Sequence, residues 1–391
     1  MKIIILSVLL IFVTHVDASN IVTVSIRDFG AKADDGKDDH LAFEKLSLFI
    51  NKRRGNVIVL VPKGIYQVGK QVRDINSNYY LKGIDVIDIQ NCKNVKIKGE
   101  RGAKLIYNTG MRFGTFNPKT GLSSNKTLDC VAKNNVGKER AMLGKLINIV
   151  NSSDITISNL SLDGNFYANT VNNMNSFPLR GISQNTEFQD DKINIGGGYG
   201  NCGIQIEHYG IFIFHSNDVL IDNVRSNRFG TDGLMVANVS GRDNNIKVQN
   251  STFDYNSRTG IAIGGGQAIT IDRSTISNTG RFLYISTATG IDIEPEADAV
   301  VKSKSVKNVL IKRCVFSGNS EGAILAKFGG TSSEIQVVNC DITSSRTAVV
   351  VGPKSSNFKF SNNKLNGELI LNGKNIGKVS SRENRVLNSS K

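Results

Sequence analysis

Tryptophan is absent from this chain of 391 residues, and cysteine (five), proline (five) and histidine (four) are scarce. Without Trp, any stacking against a ring-shaped ligand falls to Tyr or Phe. The cysteines, at 92, 130, 202, 314 and 340, are odd in number, widely scattered and never arranged as C-x-x-C. That excludes a disulfide scaffold and gives a zinc site no support. Long apolar runs are also missing after the first one. Lys2, the apolar stretch Ile3 to Val13 and the small or aliphatic residues around Val16-Asp17-Ala18 read as a secretory signal over residues 1–18. The run is too short for a comfortable membrane span and nothing later is longer. The expectation is an exported mature chain, secreted or periplasmic. Acidic residues are the minority, 34 against 48 Lys and Arg, for a net charge of +14. Such a surface favours acidic partners. Export and the dispersal of the basic residues argue against nucleic acid, which leaves an acidic polysaccharide or oligosaccharide as the expected partner.

What the chain has in abundance is a repeat. The segments DITISNLSLDGN (154–165), DVLIDNVRSNRF (218–229), NIKVQNSTFDYN (245–256), AITIDRSTISNT (268–279), NVLIKRCVFSGN (308–319), EIQVVNCDITSS (334–345) and NFKFSNNKLNGE (357–368) share one pattern. Each has an apolar-x-apolar strand, a polar turn, and a further apolar position. Alternation with period two and Asn- and Gly-rich corners excludes helical repeats. Most repeats are one coil of about two dozen residues apart, which suits a right-handed parallel β-helix whose stacked coils bury one column of Ile and Val. Asn159, Asn223, Asn250, Asn339 and Asn362 share one repeat position with Arg273 and Arg313, and read as a corner ladder. Cys314 and Cys340 occupy equivalent positions on neighbouring coils, as stacked thiols or as a disulfide. The expected architecture is all-β: one domain over 19–391, an N-terminal cap and first strands at about 21–70, and coils over about 85–372. The cap contains an amphipathic helix from about Asp39 to Asn51 with Leu41, Ala42, Leu46, Phe49 and Ile50 on its apolar face. A monomer is expected.

The opening DFGAKADDGKDDHLAFEKL, followed by VIVLVPKGIYQV, resembles the start of pectate-lyase-superfamily proteins with a single-stranded right-handed β-helix. The resemblance implies an extracellular polysaccharide-processing role as lyase, glycoside hydrolase, epimerase or phage-like tailspike. The polygalacturonase motif set (Asn-Thr-Asp, Asp-Asp, Gly-His-Gly) is not present as a set, since Asn-Thr-Asp and Gly-His-Gly are missing and Asp-Asp occurs only at 34–35, 38–39 and 190–191. The Asp-Pro-His-Asp signature of alginate epimerases is missing too, so no catalytic residue carries over.

The candidate site therefore comes from the repeat itself. A second family of strands follows the turns: LINIVNS, YGIFIFHS, DGLMVAN, TGIAIGGG, TGIDIEPE, EGAILAKF and TAVVVG. The insertions at about 108–145, 166–208, 280–288 and 297–306 gather beside it and would wall a groove. Within TGIDIEPEAD, Asp292 and Glu294 share one face, their Cβ atoms roughly 7 Å apart. Alignment sets them beside Ala262 and Gly264, suggesting open space for a sugar ring. His208, Tyr209, Asp232, Arg258 and Lys327 fall on adjoining coils. Three chemistries fit. In β-elimination from a uronate, Arg258, Lys327 or a Ca²⁺ ion held by Asp292, Glu294, Glu296 and Asp298 would neutralise the sugar carboxylate, and Tyr209, His208 or a Lys would take the proton. In glycoside hydrolysis, Asp292 and Glu294 would share the work. In a non-catalytic glycan binder the same groups would only hydrogen-bond. The basic charge favours the polysaccharide lyase, with the hydrolase next.

Overall fold

The structure is a computed structural model. It describes residues 20–73, 80–117, 119–121, 139–166, 207–237, 243–281, 285, 287–296, 305–377 and 384–387. The expected signal, Asp298 and most of the four insertions lie outside these residues. Among the described residues no helix is long and apolar enough to cross a membrane.

Parallel strands dominate. Twenty-seven of them join in one continuous sheet in which each strand pairs with its counterpart on the coils before and after. The strands of the face that matters below are numbered β1 to β8 in chain order: Ile87–Gln90, Gly144–Val150, His208–Phe214, Asp232–Ala237, Thr259–Asp272, Thr289–Ile293, Gly322–Ala326 and Asp341–Val351. Their register stacks Ile147, Ile211, Leu234, Ile261, Ile291, Ile324 and Val349 in one inward column. All seven are buried. Each coil alone would leave these side chains in water, so burial couples every coil to its neighbours.

The corner ladder has a deeper cause than amide pairing. Asn159, Asn223, Asn250, Arg273, Arg313, Asn339 and Asn362 all have left-handed backbone, with φ between 46° and 56°. Asn tolerates that region better than most residues, which explains its recurrence. Amide bonds do follow, as from Asn223 Nδ2 to Asn159 Oδ1 at 2.8 Å. At the other coils Arg273 donates to Asn250 and Arg313 to Asp272. Cys314 and Cys340 are free, buried thiols stacked in an interior ladder, the Cys314 amide donating to Cys340 Sγ at 3.4 Å.

The open end is covered by α1, His40–Arg53. It buries Ala42, Phe43, Leu46 and Ile50, whereas Leu41 points outward. Phe49 packs against the core as well, so the expected apolar face holds except at Leu41, and Phe43, edge-on against Tyr66, joins it. Gly290 shows why a coil must be small at one point: a Cβ there would lie 2.7 Å from the Ala323 carbonyl and 3.1 Å from the Phe316 ring.

Candidate functional site

Side chains on consecutive coils form a buried charged cluster on the outer face of β4 to β6. Arg258 Nη1 donates to Asp232 Oδ2 at 3.1 Å, and Arg258 Nη2 lies 3.4 Å from Glu294 Oε2 and 3.9 Å from Asp292 Oδ2. Thr259 Oγ1 donates to the other Asp232 oxygen at 2.7 Å. The register that brings them together is set by the inward Ile column: Asp232 stacks on Thr259, and Ala262 on Asp292. Asp232 and Asp292 are almost fully buried, while Glu294 is half-buried. One guanidinium nitrogen of Arg258 thus lies between the Asp292 and Glu294 carboxylates.

Burial pushes the Asp292 carboxyl up to about 7, with Glu294 adding to the rise and Arg258 and Thr287 opposing it. Thr287 Oγ1 donates to Asp292 Oδ2 at 3.0 Å, whereas Oδ1 is buried with no partner among the described residues. A buried carboxylate with an orphan oxygen is expensive; a protonated carboxyl can donate from it. Glu294 is also raised, by burial above all, but Arg258 pulls it back toward ionisation. For Arg258 burial alone would favour loss of charge, and Asp232 and Asp292 more than reverse it.

A cleft of about 290 Å³ lies toward the later coils, lined by Thr287 and Leu325, the hydrogen-bond partner and the stacked neighbour of Asp292, with Asp292 itself buried behind them. Thr287 and Thr289 form its near wall, and Leu325, which stacks on Asp292, lies in its floor. Glu321, Lys327 and Asn372 add polar groups. The space exists because Thr289, Gly322 and Thr347, in register on three coils, are small. On the earlier side, where open space was expected over Ala262 and Gly264, there is none. Met235 fills it: a Cβ on Gly264 would lie 2.9 Å from Met235 Cε, and Tyr209, Met235 and Ala262 form an apolar cluster.

Two of the expected bases are placed where they cannot serve. His208 is turned inside the coil, ringed by Tyr107, Phe113, Phe166 and Phe229, and accepts from the Gly230 amide at 2.9 Å. Burial pulls its imidazole down to about 3. It is a neutral core residue, because the chain at the start of β3 bends inward opposite Gly230. Tyr209 stays on the outer face, but burial, with Asp232 alongside, pushes its phenol far above its ordinary value. Lys327 is exposed at the cleft, its ammonium 5.4 Å from the Phe328 ring. Glu296 is exposed, its amide bonded to Gly264. Of the expected Ca²⁺ set, Asp298 lies outside the described residues, and among those residues no three carboxylate, imidazole or thiol groups converge to hold a metal. The cation between Asp292 and Glu294 is the Arg258 guanidinium.

The model of the right-handed beta helix region matches residues 143–296 and, overlapping, 193–365. The chain belongs to the right-handed β-helix family. No curated protein matches this β-helix chain. Among solved structures, the enzymatically active domain of tailspike protein 2 of bacteriophage CBA120 is similar with a TM-score of 0.53 at 11% identity, over 95% of this chain and 43% of that one. The tailspike protein gp49 of Acinetobacter baumannii bacteriophage Fri1, a capsular polysaccharide depolymerase, gives a TM-score of 0.48 at 15% identity, over 94% and 62%. PfbA, a surface adhesin of Streptococcus pneumoniae, gives 0.41 at 14% identity, over 90% and 89%. This β-helix chain thus spans less than two thirds of either tailspike, and the likeness is one of fold.

Proposed function

We propose that this β-helix protein is a glycoside hydrolase acting on a polysaccharide, with Asp292 as general acid and Glu294 as its carboxylate partner. The observation that carries the reading is Asp292 itself: a buried carboxyl raised to about 7, with one oxygen unpartnered among the described residues, behind Thr287 and Leu325 in the wall of a cleft. Such a group holds a proton at neutral pH and can deliver it to a leaving glycosidic oxygen. Glu294, half-buried and kept toward its charged form by Arg258, stabilises or attacks the sugar carbon as positive charge develops, directly or through a water. Thr287 positions Asp292, and Asp232 fixes the guanidinium that both acids share.

β-Elimination, the reading that net charge favoured, has less support. Arg258 is engaged by Asp232 and Glu294, His208 is internal, and the Tyr209 phenol is held protonated, which leaves Lys327 as the base. The cleft lining carries one acid and one base, Glu321 and Lys327, and the Arg258 guanidinium is already matched by Asp232 and Glu294, a setting without the excess of cations that a polyuronate would need. A neutral polysaccharide fits this face better. The proposal includes export behind a signal at 1–18 and a single, monomeric domain over 19–391. Incubation with a panel of neutral and acidic polysaccharides separates the possibilities. New reducing ends without ultraviolet-absorbing products are expected. Unsaturated, ultraviolet-absorbing products would establish a lyase instead, and binding without any product would make the protein a glycan-binding module.

A further inference from the structure

Away from the cleft, a row of basic side chains lies on the first two coils. The strands Gly55–Val61 and Lys93–Gly99 stack in parallel, with Ile58 beside Lys96 and Leu60 beside Lys98. Lys96 and Lys98 point outward on one face, roughly 7 Å apart. Lys93 precedes them; at the corner beyond, Lys63 lies across Gly102, next to Arg101. Lys63, Lys93, Lys98 and Arg101 are exposed and Lys96 is half-buried. Leu60 and Ile65, also exposed, lie beside the cations. The nearby carboxylates are Glu100, which accepts the Lys63 amide, Asp34, which accepts the Ile65 amide, Asp154, on the next coil opposite Asn94, and Asp163, which is taken by Lys104 and Arg228.

Some charges on the later coils are matched. On the same sheet Asp272 is paired with Arg273 and Arg313, and Lys307 with Glu334; at the following corner Lys364 pairs with Asp341. Among the described residues none of the five cations of the first coils is in such a pair. A row of like charges on a rigid sheet repels itself unless something outside the chain compensates it. The row follows one strand and its corner, one or two side chains wide, and a linear polyanion matches that shape where a flat lipid surface would need a broad plane of cations.

We infer that the outer face of the first two coils, centred on Lys96, Lys98 and Arg101, is a docking surface for an acidic polysaccharide, separate from the cleft and independent of its chemistry. The geometry lets this β-helix hold an anionic polymer at its capped end while the cleft, on another face, remains open.

The full chain is tested by binding to polygalacturonate as the polyanion, with dextran of similar length as the neutral control. Polygalacturonate is expected to bind, and its affinity to fall about tenfold or more between 50 and 200 mM salt, as for release of a few counterions. K96E/K98E/R101E, and the milder K96Q/K98Q/R101Q, are expected to lose most of that binding while keeping the wild-type unfolding midpoint. D292N/E294Q is expected to bind as the wild type does, even if the hydrolase reading fails. Binding that survives both triple variants, disappears in D292N/E294Q, or is equal for dextran would overturn the inference. So would tighter binding to duplex DNA or to anionic phosphatidylglycerol vesicles than to polygalacturonate.

Discussion

Replacing Asp292 by Asn is expected to make the protein more stable at pH 8 than the wild type, even though it removes the proposed acid. The reasoning is proton linkage. The Asp292 carboxyl has an ordinary value of 3.8 and burial raises it to about 7 in the fold. A group raised in this way favours the folded state fully below about pH 4, where it is protonated folded and unfolded alike. That advantage is lost as pH rises through about 7, because the unfolded chain releases the proton freely and the fold resists it. Each unit of difference is about 1.4 kcal/mol, so Asp292 alone costs up to about 4 kcal/mol between pH 4 and 8. Asp85, raised by burial to about 6, slopes the same way. An asparagine side chain has no proton to lose in this range, and its amide can occupy the same space. Urea unfolding midpoints of wild type and Asp292→Asn at pH 5 and pH 8 measure the difference. The wild type should lose stability between the two pH values and the variant should lose distinctly less. Parallel pH slopes for the two proteins would refute the assignment of a neutral buried carboxyl at this position.

Four further outcomes follow from the same geometry. Arg258→Met leaves Asp232 and Asp292 buried without their counter-charge, and should cost about 3–5 kcal/mol at pH 8; the loss should shrink at pH 5, as both acids take up protons. Gly290→Ala drives a methyl group into the Ala323 carbonyl, and should lower stability by about 1–3 kcal/mol in the same urea assay. Asn250→Ala, at a left-handed corner, should cost about 1 kcal/mol, and Asn250→Gly much less. Thr287→Val removes the hydrogen bond that helps ionise Asp292, so the alkaline limb of a kcat/KM profile should move to higher pH.

Much of this was legible in the sequence because a solenoid repeats its instructions. The apolar-x-apolar strands gave the coil, and aligning them correctly placed Ala262 beside Asp292, and Asp232 and Arg258 on neighbouring coils. What alignment does not carry is side-chain length and bend. Met235 is in register with Ala262, and its reach closes the gap that small neighbours suggested. His208 sits where the chain turns into the coil; its cue was Gly230, whose missing Cβ would be only 2.9 Å from the imidazole. The cleft had a signal that went unused, in the small outward residues Thr289, Gly322 and Thr347 at one repeat position. Net charge does not locate a site, for a physical reason. It sums over the surface, whereas a ligand meets the local field, and here Lys96 and Lys98 lie on a different sheet face from Asp292.

The most direct measurement is the pH dependence of kcat/KM on whichever neutral polysaccharide yields reducing ends, for the wild type and for Asp292→Asn. Activity in the wild type should fall as pH rises through about 7, as Asp292 loses its proton. In Asp292→Asn it should drop by roughly 10²–10⁴-fold at neutral pH and lose that alkaline limb. Full activity in the variant, or an unchanged limb, would contradict Asp292 as the proton donor.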